Sequence, residues 1–182
     1  MRIAETAYPL PDGRVLTIRS AEPKDAASLA LHRCITSGET PFMARYPEEC
    51  TRDAEALGAW LQGMAEDPQN FAVTAFDGGN VVGDLGIQRF RAHFKMQHRA
   101  NLGVSIQAAY CGCGLGRAML QIAVAQAREN GFEQIELGVF ADNARAIHLY
   151  RSLGFEDFGC TPRAFRLKVG TYHDERMLVK FL

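Results

Sequence analysis

The sequence predicts a mixed α/β fold in which helices flank one mostly antiparallel central sheet. Strand-like apolar runs alternate with helical patterns in the order β-α-α-β-β-β-α-β-α-β-β. The 182 residues can bury a sizeable core, and 47% are hydrophobic against 23% charged, as in ordinary globular proteins. No repeat, low-complexity stretch or linker divides the chain. We therefore expect one domain over residues 1–182, with its core from about residue 15 onwards.

The first half of the chain contains three strands and two helices. Pro23 marks the start of the first helix, and Asp77-Gly-Gly-Asn80 is a hairpin signal between two apolar runs. The predicted elements are a strand at 15–19, a helix at 25–34, an ordered loop at 38–50, a helix beginning at 51–55, and strands at 71–76 and 81–90.

The second half continues with strands and helices in alternation. Gly131 and Gly154 each follow a helical pattern and indicate its C-terminal end. The longer helix carries its polar residues on one face, which predicts that the fold covers the rest of it. The predicted elements are a strand at 101–106, a helix at 114–130, a strand at 133–140, a helix from 143 to 153, and strands around 164–168 and 176–181.

Charge and composition argue against several classes of protein. The net charge of −1 at pH 7 favours no general attraction to nucleic acid or membrane surfaces. No apolar run approaches the ~20 residues that cross a bilayer, and the N-terminal residues lack a signal-peptide core. The five cysteines are an odd number, which argues against a secreted disulfide framework. We expect a cytoplasmic protein.

The segment at residues 111–117 (CGCGLGR) is the first functional candidate. Three glycines at alternate positions leave a row of backbone N–H groups with few side chains over them. A helix that opens here adds its free N–H groups and the positive end of its dipole. Such a site suits a phosphate or pyrophosphate.

Spacing argues against two familiar phosphate-binding motifs. The dinucleotide fingerprint G-x-G-x-x-G requires glycine where this chain has Arg117. A Walker A loop requires Gly-Lys followed by Ser or Thr, which does not occur. A ligand that is held by its pyrophosphate and reacts elsewhere along its length is the remaining interpretation.

Cys111 and Cys113 leave a further interpretation open. Zinc sites use two to four intervening residues and a second ligand pair, whereas the other candidate ligands, Cys160, His98 and His173, are scattered. We therefore expect no metal. Thiols at a helix N-terminus are favoured as thiolates, so a thiol-redox protein is the least favoured alternative.

The helix after the predicted 133–140 strand is the second functional candidate. Asn143 and Tyr150 are seven residues apart, so two helical turns place them on one face, roughly 10 Å apart. Taken alone, this helix favours a core role for the Tyr150 ring.

Together, these two segments resemble the GCN5-related N-acetyltransferase (GNAT) superfamily. Its acetyl-CoA signature is Gln/Arg-x-x-Gly-x-Gly/Ala, and its next helix carries Asn-x-x-Ala-x-x-x-Tyr before Gly-Phe. The matching positions are Gly114, Gly116, Asn143, Ala146, Tyr150, Gly154 and Phe155. The element order agrees with that fold over most of the chain, and residues 170–177 are most similar to the branch of ribosomal-protein and small-molecule amine acetyltransferases. The first signature position, Gln or Arg in the family, is Cys111 here.

The resemblance implies an N-acetyltransferase that uses acetyl-CoA as cosubstrate and a primary amine as acceptor. Backbone groups from Val104 to Ile106 would hold the pantetheine arm, and a backbone N–H near Ile106 would stabilise the oxyanion. Asn143 would fix the arm through its amide, and Tyr150 would act as general acid toward the departing thiolate. The implied cofactor-binding residues are Val104, Ile106, Cys111, Gly112, Cys113, Gly114, Leu115, Gly116, Arg117, Asn143, Ala146 and Tyr150.

The general base is left open. Many members use a carboxylate near the start of the strand that holds the arm, where this chain has Asn101. His98 is one candidate, and Glu39 or Asp84 could act through water. Each also has a structural interpretation: a turn residue, a solvated loop charge and a sheet-edge charge, respectively.

The expected partner is the amine acceptor, which would approach between the 38–50 loop and the C-terminal hairpin. No nucleic acid or membrane partner is expected, and a homodimer is left open. The alternative function is a non-catalytic module of the same fold that binds acyl-CoA and senses it without turnover.

Overall fold

A computed structural model describes residues 1–51 and 53–182 as one eight-stranded sheet with four α-helices on its faces. The strands lie in the order β1-β2-β3-β4-β5-β6-β8-β7, and every neighbouring pair is antiparallel except β5–β6. The elements are β1 Thr6–Pro9, β2 Val15–Arg19, α1 Ala26–Glu39, α2 Ala54–Glu66, β3 Phe71–Asp77, β4 Asn80–Arg89, β5 Arg99–Ile106, α3 Leu115–Glu129, β6 Gln134–Phe140, α4 Ala144–Ser152, β7 Glu156–Arg166 and β8 Tyr172–Phe181. The predicted fold class, a mostly antiparallel sheet flanked by helices, is confirmed.

Three elements differ most from the sequence prediction. The predicted order omits β1, because its four residues are mostly exposed and the strand exists through its pairing with β2. Helix α1 runs five residues beyond Cys34, since Thr36 and Ser37 are buried and the Thr36 hydroxyl donates to the His32 carbonyl at 3.0 Å. Strand β7 starts eight residues before the predicted 164, and its almost fully exposed residues show no alternation from which to predict it. Arg52, within the predicted start of the second helix, lies outside the described residues.

The helices cover opposite faces of the sheet in pairs. On β4, Val81 packs with Leu29 and Leu61 of α1 and α2, whereas the adjacent Val82 belongs to the cluster that contains Met119 of α3. Neighbouring residues of a strand point to opposite faces, so α1 and α2 lie on one face and α3 on the other. None of the described helices is both long enough and apolar enough to span a membrane.

The sheet divides between its two parallel strands. β5 pairs with β6 only from Arg99 to Asn101, and the last pair is Asn101 with Glu136. Beyond that pair β5 stays on β4 as far as Ile106, and β6 stays on β8 as far as Phe140. We call the opening between residues 102–106 and 137–140 the β5–β6 gap.

Candidate active site

One wall of the β5–β6 gap offers unpaired backbone groups. Gln107 N–H donates to the Val82 carbonyl at 3.0 Å, and Phe90 N–H donates to the Arg99 carbonyl at 2.9 Å. Odd-numbered residues of β5 therefore direct their backbone groups at β4, and Val104 and Ile106 direct theirs into the gap. An extended chain that entered the gap would find strand-like donors and acceptors there.

The glycine-rich loop lies at the end of this wall. Gly112 and Gly114 adopt the left-handed region, with φ of +83° and +87°. In the described part of the chain, nothing accepts a hydrogen bond from the six successive backbone N–H groups of residues 112–117, and the first helical bond runs from Ala118 N–H to the Gly114 carbonyl. The loop and the first turn of α3 therefore form a concentrated donor site for an anion.

The N-terminal strand holds this loop in place. The Tyr8 hydroxyl donates to the Cys113 carbonyl at 2.8 Å, and a β-carbon at Gly114 would stand 2.7 Å from that hydroxyl oxygen. The preceding turn is tied down by Tyr110, whose hydroxyl donates to Asp77 at 2.7 Å. Sequence reasoning missed Tyr8 because it lies on the unpredicted strand β1.

The third glycine has a packing role. A β-carbon at Gly116 would lie 3.2 Å from both the Ile106 and the Leu149 side chains, so a hydrogen there lets α3 approach β5 and α4 closely. The next residue, Arg117, reaches across to α4 and donates to the Ser152 hydroxyl at 2.7 Å. Its charge therefore lies beside the loop rather than over it.

The two loop cysteines face different carbonyls. The Cys111 sulfur lies 3.8 Å from the Ile106 carbonyl, and the Cys113 thiol donates to the Tyr110 carbonyl at 3.1 Å. Among the described residues, no group of three or more His, Cys, Asp or Glu side chains is placed to hold a metal ion.

Helix α4 brings two of the predicted residues to the site. Asn143 caps the helix, its Oδ1 accepting from Ala146 N–H at 3.2 Å. Its amide NH₂ has no hydrogen-bond partner among the described residues and is available to a ligand. Tyr150 is 7% exposed and packs beside Phe155, with ring centroids 5.8 Å apart. Burial raises the pKa of Tyr150 to about 12, so its hydroxyl stays protonated at neutral pH. No described residue hydrogen-bonds that hydroxyl, which can therefore donate to a bound molecule.

The base candidates are dispersed. His98 precedes β5 at the closed end of the gap, where its carbonyl accepts from Glu133 N–H at 2.9 Å. It lies five residues before Gly103, about 17 Å along the strand. Glu39 ends α1 rather than lying in a loop, and it accepts from Ala108 N–H at 2.8 Å.

Asp84 is an interior residue and not a sheet-edge charge, because β4 lies between β3 and β5. Burial raises the pKa of its carboxyl, which accepts from the Thr74 hydroxyl at 3.1 Å and lies 3.6 Å from the Arg33 guanidinium. Near the start of β5, where the resemblance implies a carboxylate, this chain has an exposed amide, Asn101.

A cavity of about 430 Å³ opens on the α1–α2 face of the sheet. Its floor is β4 and β5, including Gly86 and Gly103, which carry no side chains. Arg33 and Arg45 contribute positive charge to the lining, and Asp84 contributes negative charge. The cavity adjoins the wall of the gap and has room for a small polar molecule or the end of a peptide.

The 38–50 segment closes over this face and docks on the C-terminal hairpin. Phe42 packs edge-on against Phe140 at 5.6 Å, and Phe140 stacks on Phe165 at 3.7 Å. The Tyr46 hydroxyl accepts from Lys168 N–H at 2.8 Å. The segment and the hairpin therefore meet in an aromatic-lined rim, at the place where the acceptor was predicted to approach.

Comparisons with known proteins agree with this architecture. Residues 31–155 match the model of the Acetyltransferase (GNAT) family. The chain is 31% identical over 117 residues to L-amino acid N-acetyltransferase AaaT of Escherichia coli, covering 63% of this chain and 70% of that protein. It is 34% identical over 100 residues to N-alpha-acetyltransferase RimI of Mycobacterium tuberculosis, covering 55% of this chain and 61% of that protein. A GNAT-family acetyltransferase from Streptococcus pneumoniae superposes with a TM-score of 0.87 at 28% identity, over 92% of this chain and 99% of that one.

Proposed function

Since this chain belongs to the Acetyltransferase (GNAT) family and is an acetyltransferase, we propose that it transfers an acetyl group from acetyl-CoA to a primary amine. The acceptor is a small molecule or a protein N-terminus, and the amine attacks the thioester directly. One observation carries the proposal: the β5–β6 gap leads from the glycine-rich loop, with its free N–H donors, to the cavity on the α1–α2 face.

The residues present fit the cosubstrate. The backbone N–H groups from Gly112 to Arg117 bind the pyrophosphate, with Arg117 adding a nearby positive charge. The loop supports this role without a side chain from Cys111, because its donors are main-chain groups. Val104 and Ile106 hold the pantetheine arm through their backbone groups, Ala146 lies beside it, and Asn143 donates its free amide NH₂ to it.

Acetyl-CoA supplies an activated acetyl thioester whose thiol departs. Tyr150 keeps a proton at its hydroxyl oxygen, since burial raises its pKa to about 12, and it delivers this proton to the departing sulfur. A backbone N–H near Ile106 stabilises negative charge on the carbonyl oxygen. The acceptor enters through the cavity beneath the 38–50 segment.

We also propose that residues 1–182 form one acetyltransferase domain and that the protein works in the cytoplasm. The N-terminal strand supports the first point, since Tyr8 fastens the glycine-rich loop. The odd number of cysteines, which argues against a secreted disulfide framework, supports the second.

Two measurements test the function. Isothermal titration with acetyl-CoA should show saturable binding that Gly114→Glu abolishes, because a side chain there displaces the Tyr8 hydroxyl that holds the loop and adds a negative charge beside the pyrophosphate donors. Free CoA release is then measured with amino acids, polyamines, aminoglycosides and N-terminal peptides as acceptors. Intact binding without turnover on any acceptor would favour the sensing module, and absence of binding would refute both functions.

A further inference from the structure

The proposed reaction requires a group that takes a proton from the acceptor's ammonium ion. Asp84 and Glu39 are engaged by other groups, and Asn101 cannot act as a base. His98 lies at the closed end of the gap, about 17 Å along the strand from Gly103, where the gap is open. We propose that Glu175 of β8 receives the cationic amino group of the acceptor and takes its proton. This inference rests on the proposed acetyltransferase function and adds a catalytic residue that the sequence motifs do not contain.

Glu175 lies over the wall of the gap that β6 forms. β8 pairs with β6 so that Glu175 is opposite Phe140 and Met177 is opposite Gly138. The Glu175 side chain folds across Gly138: a β-carbon there would stand 2.7 Å from its Cδ and overlap its Oε1. Gly138 is the single glycine of β6, and its missing side chain makes the space that the carboxylate occupies.

The carboxylate lies at the level where the gap opens. Gly103 of β5 and Gly138 of β6 each stand two residues beyond the last β5–β6 pair, Asn101 with Glu136. No atom of the described residues lies within 4 Å of a β-carbon position on Gly103, which also lines the cavity on the α1–α2 face. Neither wall bears a side chain at this level, so an amine in the gap meets the Glu175 carboxylate.

Glu175 has no partner within the described chain, although it is half-buried. Among residues 1–51 and 53–182, none donates a hydrogen bond to its carboxylate or forms an ion pair with it. The other titratable side chains that β6 and β8 direct to this face are engaged: Glu136 binds Arg99 at 2.5 and 2.7 Å, and His173 lies 2.8 Å from Asp142. A half-buried, unpaired carboxylate beside the apolar Phe140 ring favours binding of a cation.

The protons balance with Glu175 in this role. The acceptor enters as an ammonium ion with three protons, and Glu175 takes the first, which frees the nitrogen lone pair to form the C–N bond. As the C–S bond breaks, Tyr150 gives its proton to the sulfur and regains one from the former amine nitrogen through water. One proton stays on the amide, one ends on the CoA thiol, and one leaves from Glu175 to solvent.

The test compares Glu175→Gln with Glu156→Gln, a matched change at an exposed glutamate of the same hairpin. With the best acceptor from the screen at pH 7, Glu175→Gln should lower kcat/KM by about 10²-fold and Glu156→Gln by less than about 2-fold. Acetyl-CoA affinity, measured by titration calorimetry, should be unchanged in both. The ratio of parent to Glu175→Gln kcat/KM should fall toward 1 as the pH rises to the pKa of the acceptor amine and beyond, because the amine then arrives without its extra proton. The neighbouring titratable groups, His173 with Asp142 and Glu136 with Arg99, remain in both variants and in the parent.

A second variant guards against an indirect effect. Gly138→Ala must displace the Glu175 side chain, so it should reproduce the loss, and the Gly138→Ala, Glu175→Gln double variant should lose no more than either alone. A Glu175→Gln rate within about 3-fold of the parent, or a deficit that is constant with pH, overturns the role of Glu175 while leaving the acetyltransferase function intact. A parent protein that releases no CoA with any acceptor or with water overturns both.

Discussion

Substituting alanine for Gly114 tests how the N-terminal strand supports the glycine-rich loop. The residue has a φ of +87°, and its β-carbon would lie 2.7 Å from the Tyr8 hydroxyl oxygen. The left-handed conformation costs a non-glycine residue about 1–2 kcal/mol. Displacing the Tyr8 hydroxyl from the Cys113 carbonyl costs about 1 kcal/mol more. We expect Gly114→Ala to lower the free energy of unfolding by about 2–3 kcal/mol, or the Tm by about 4–12 °C.

Gly112 provides the matched control. It has a φ of +83°, but nothing lies within 4 Å of its β-carbon position, so Gly112→Ala should cost only the backbone part, about 1–2 kcal/mol. Urea unfolding of both variants, with and without Tyr8→Phe, completes a double-mutant cycle. In the Tyr8→Phe background, the excess cost of Gly114→Ala over Gly112→Ala should disappear. Equal stability of the two alanine variants in the parent background, or an excess cost that persists without the hydroxyl, would contradict the role of Tyr8 in holding the loop.

Three further perturbations give distinct outcomes. Tyr150→Phe should lower kcat by about 10²-fold with acetyl-CoA affinity unchanged. The control, Tyr172→Phe on the exposed hairpin, should leave kcat within about 2-fold of the parent. If the two variants have equal kcat values, Tyr150 has only a packing role. Burial, followed by the nearby Arg33 charge, lowers the pKa of His32 to about 4. Because the unfolded state binds a proton near pH 6.5 and the folded state does not, stability should fall by about 3 kcal/mol as pH drops from 6.5 to 4. His32→Gln should lack that slope in urea titrations, and an unchanged slope would contradict the assignment. Arg117→Ala should weaken acetyl-CoA binding by about 3-fold in low salt and less in high salt, while Ser152→Ala should leave the affinity unchanged; a salt-independent loss would argue against a charge effect.

Local patterns predicted the parts of the site that lie on consecutive residues. The alternating glycines at 112–116 lie in the loop before α3 and in its first turn, and the spacing of Asn143 and Tyr150 on α4 follows from helical periodicity. These features require only the backbone conformation of one segment at a time. The order of elements after residue 15 was predictable for the same reason, because alternation, turn residues and helix stops act over a few residues.

Features that depend on distant pairing could not be predicted. Strand β1 exists because it pairs with β2, and the unpredicted first part of β7, residues 156–163, exists because it pairs with β8, although neither segment has a buried face. From the sequence, Asp84 is predicted to be a charge at the sheet edge; only the pairing of β5 with its strand shows that it is an interior residue. The buried His32 pairs with Ser105 of β5, 73 positions away, which no local pattern encodes.

The fold class, the glycine-rich loop and the family were predictable because each depends on short-range spacing or on motifs within one segment. Three features became known only from the folded chain: where β5 and β6 separate, which residues hold the loop, and which carboxylate lies over the gap. Glu175 shows the physical reason: its place depends on the register of β8 on β6 and on the space that a glycine 37 residues earlier leaves open. Only the folded chain brings these two positions together.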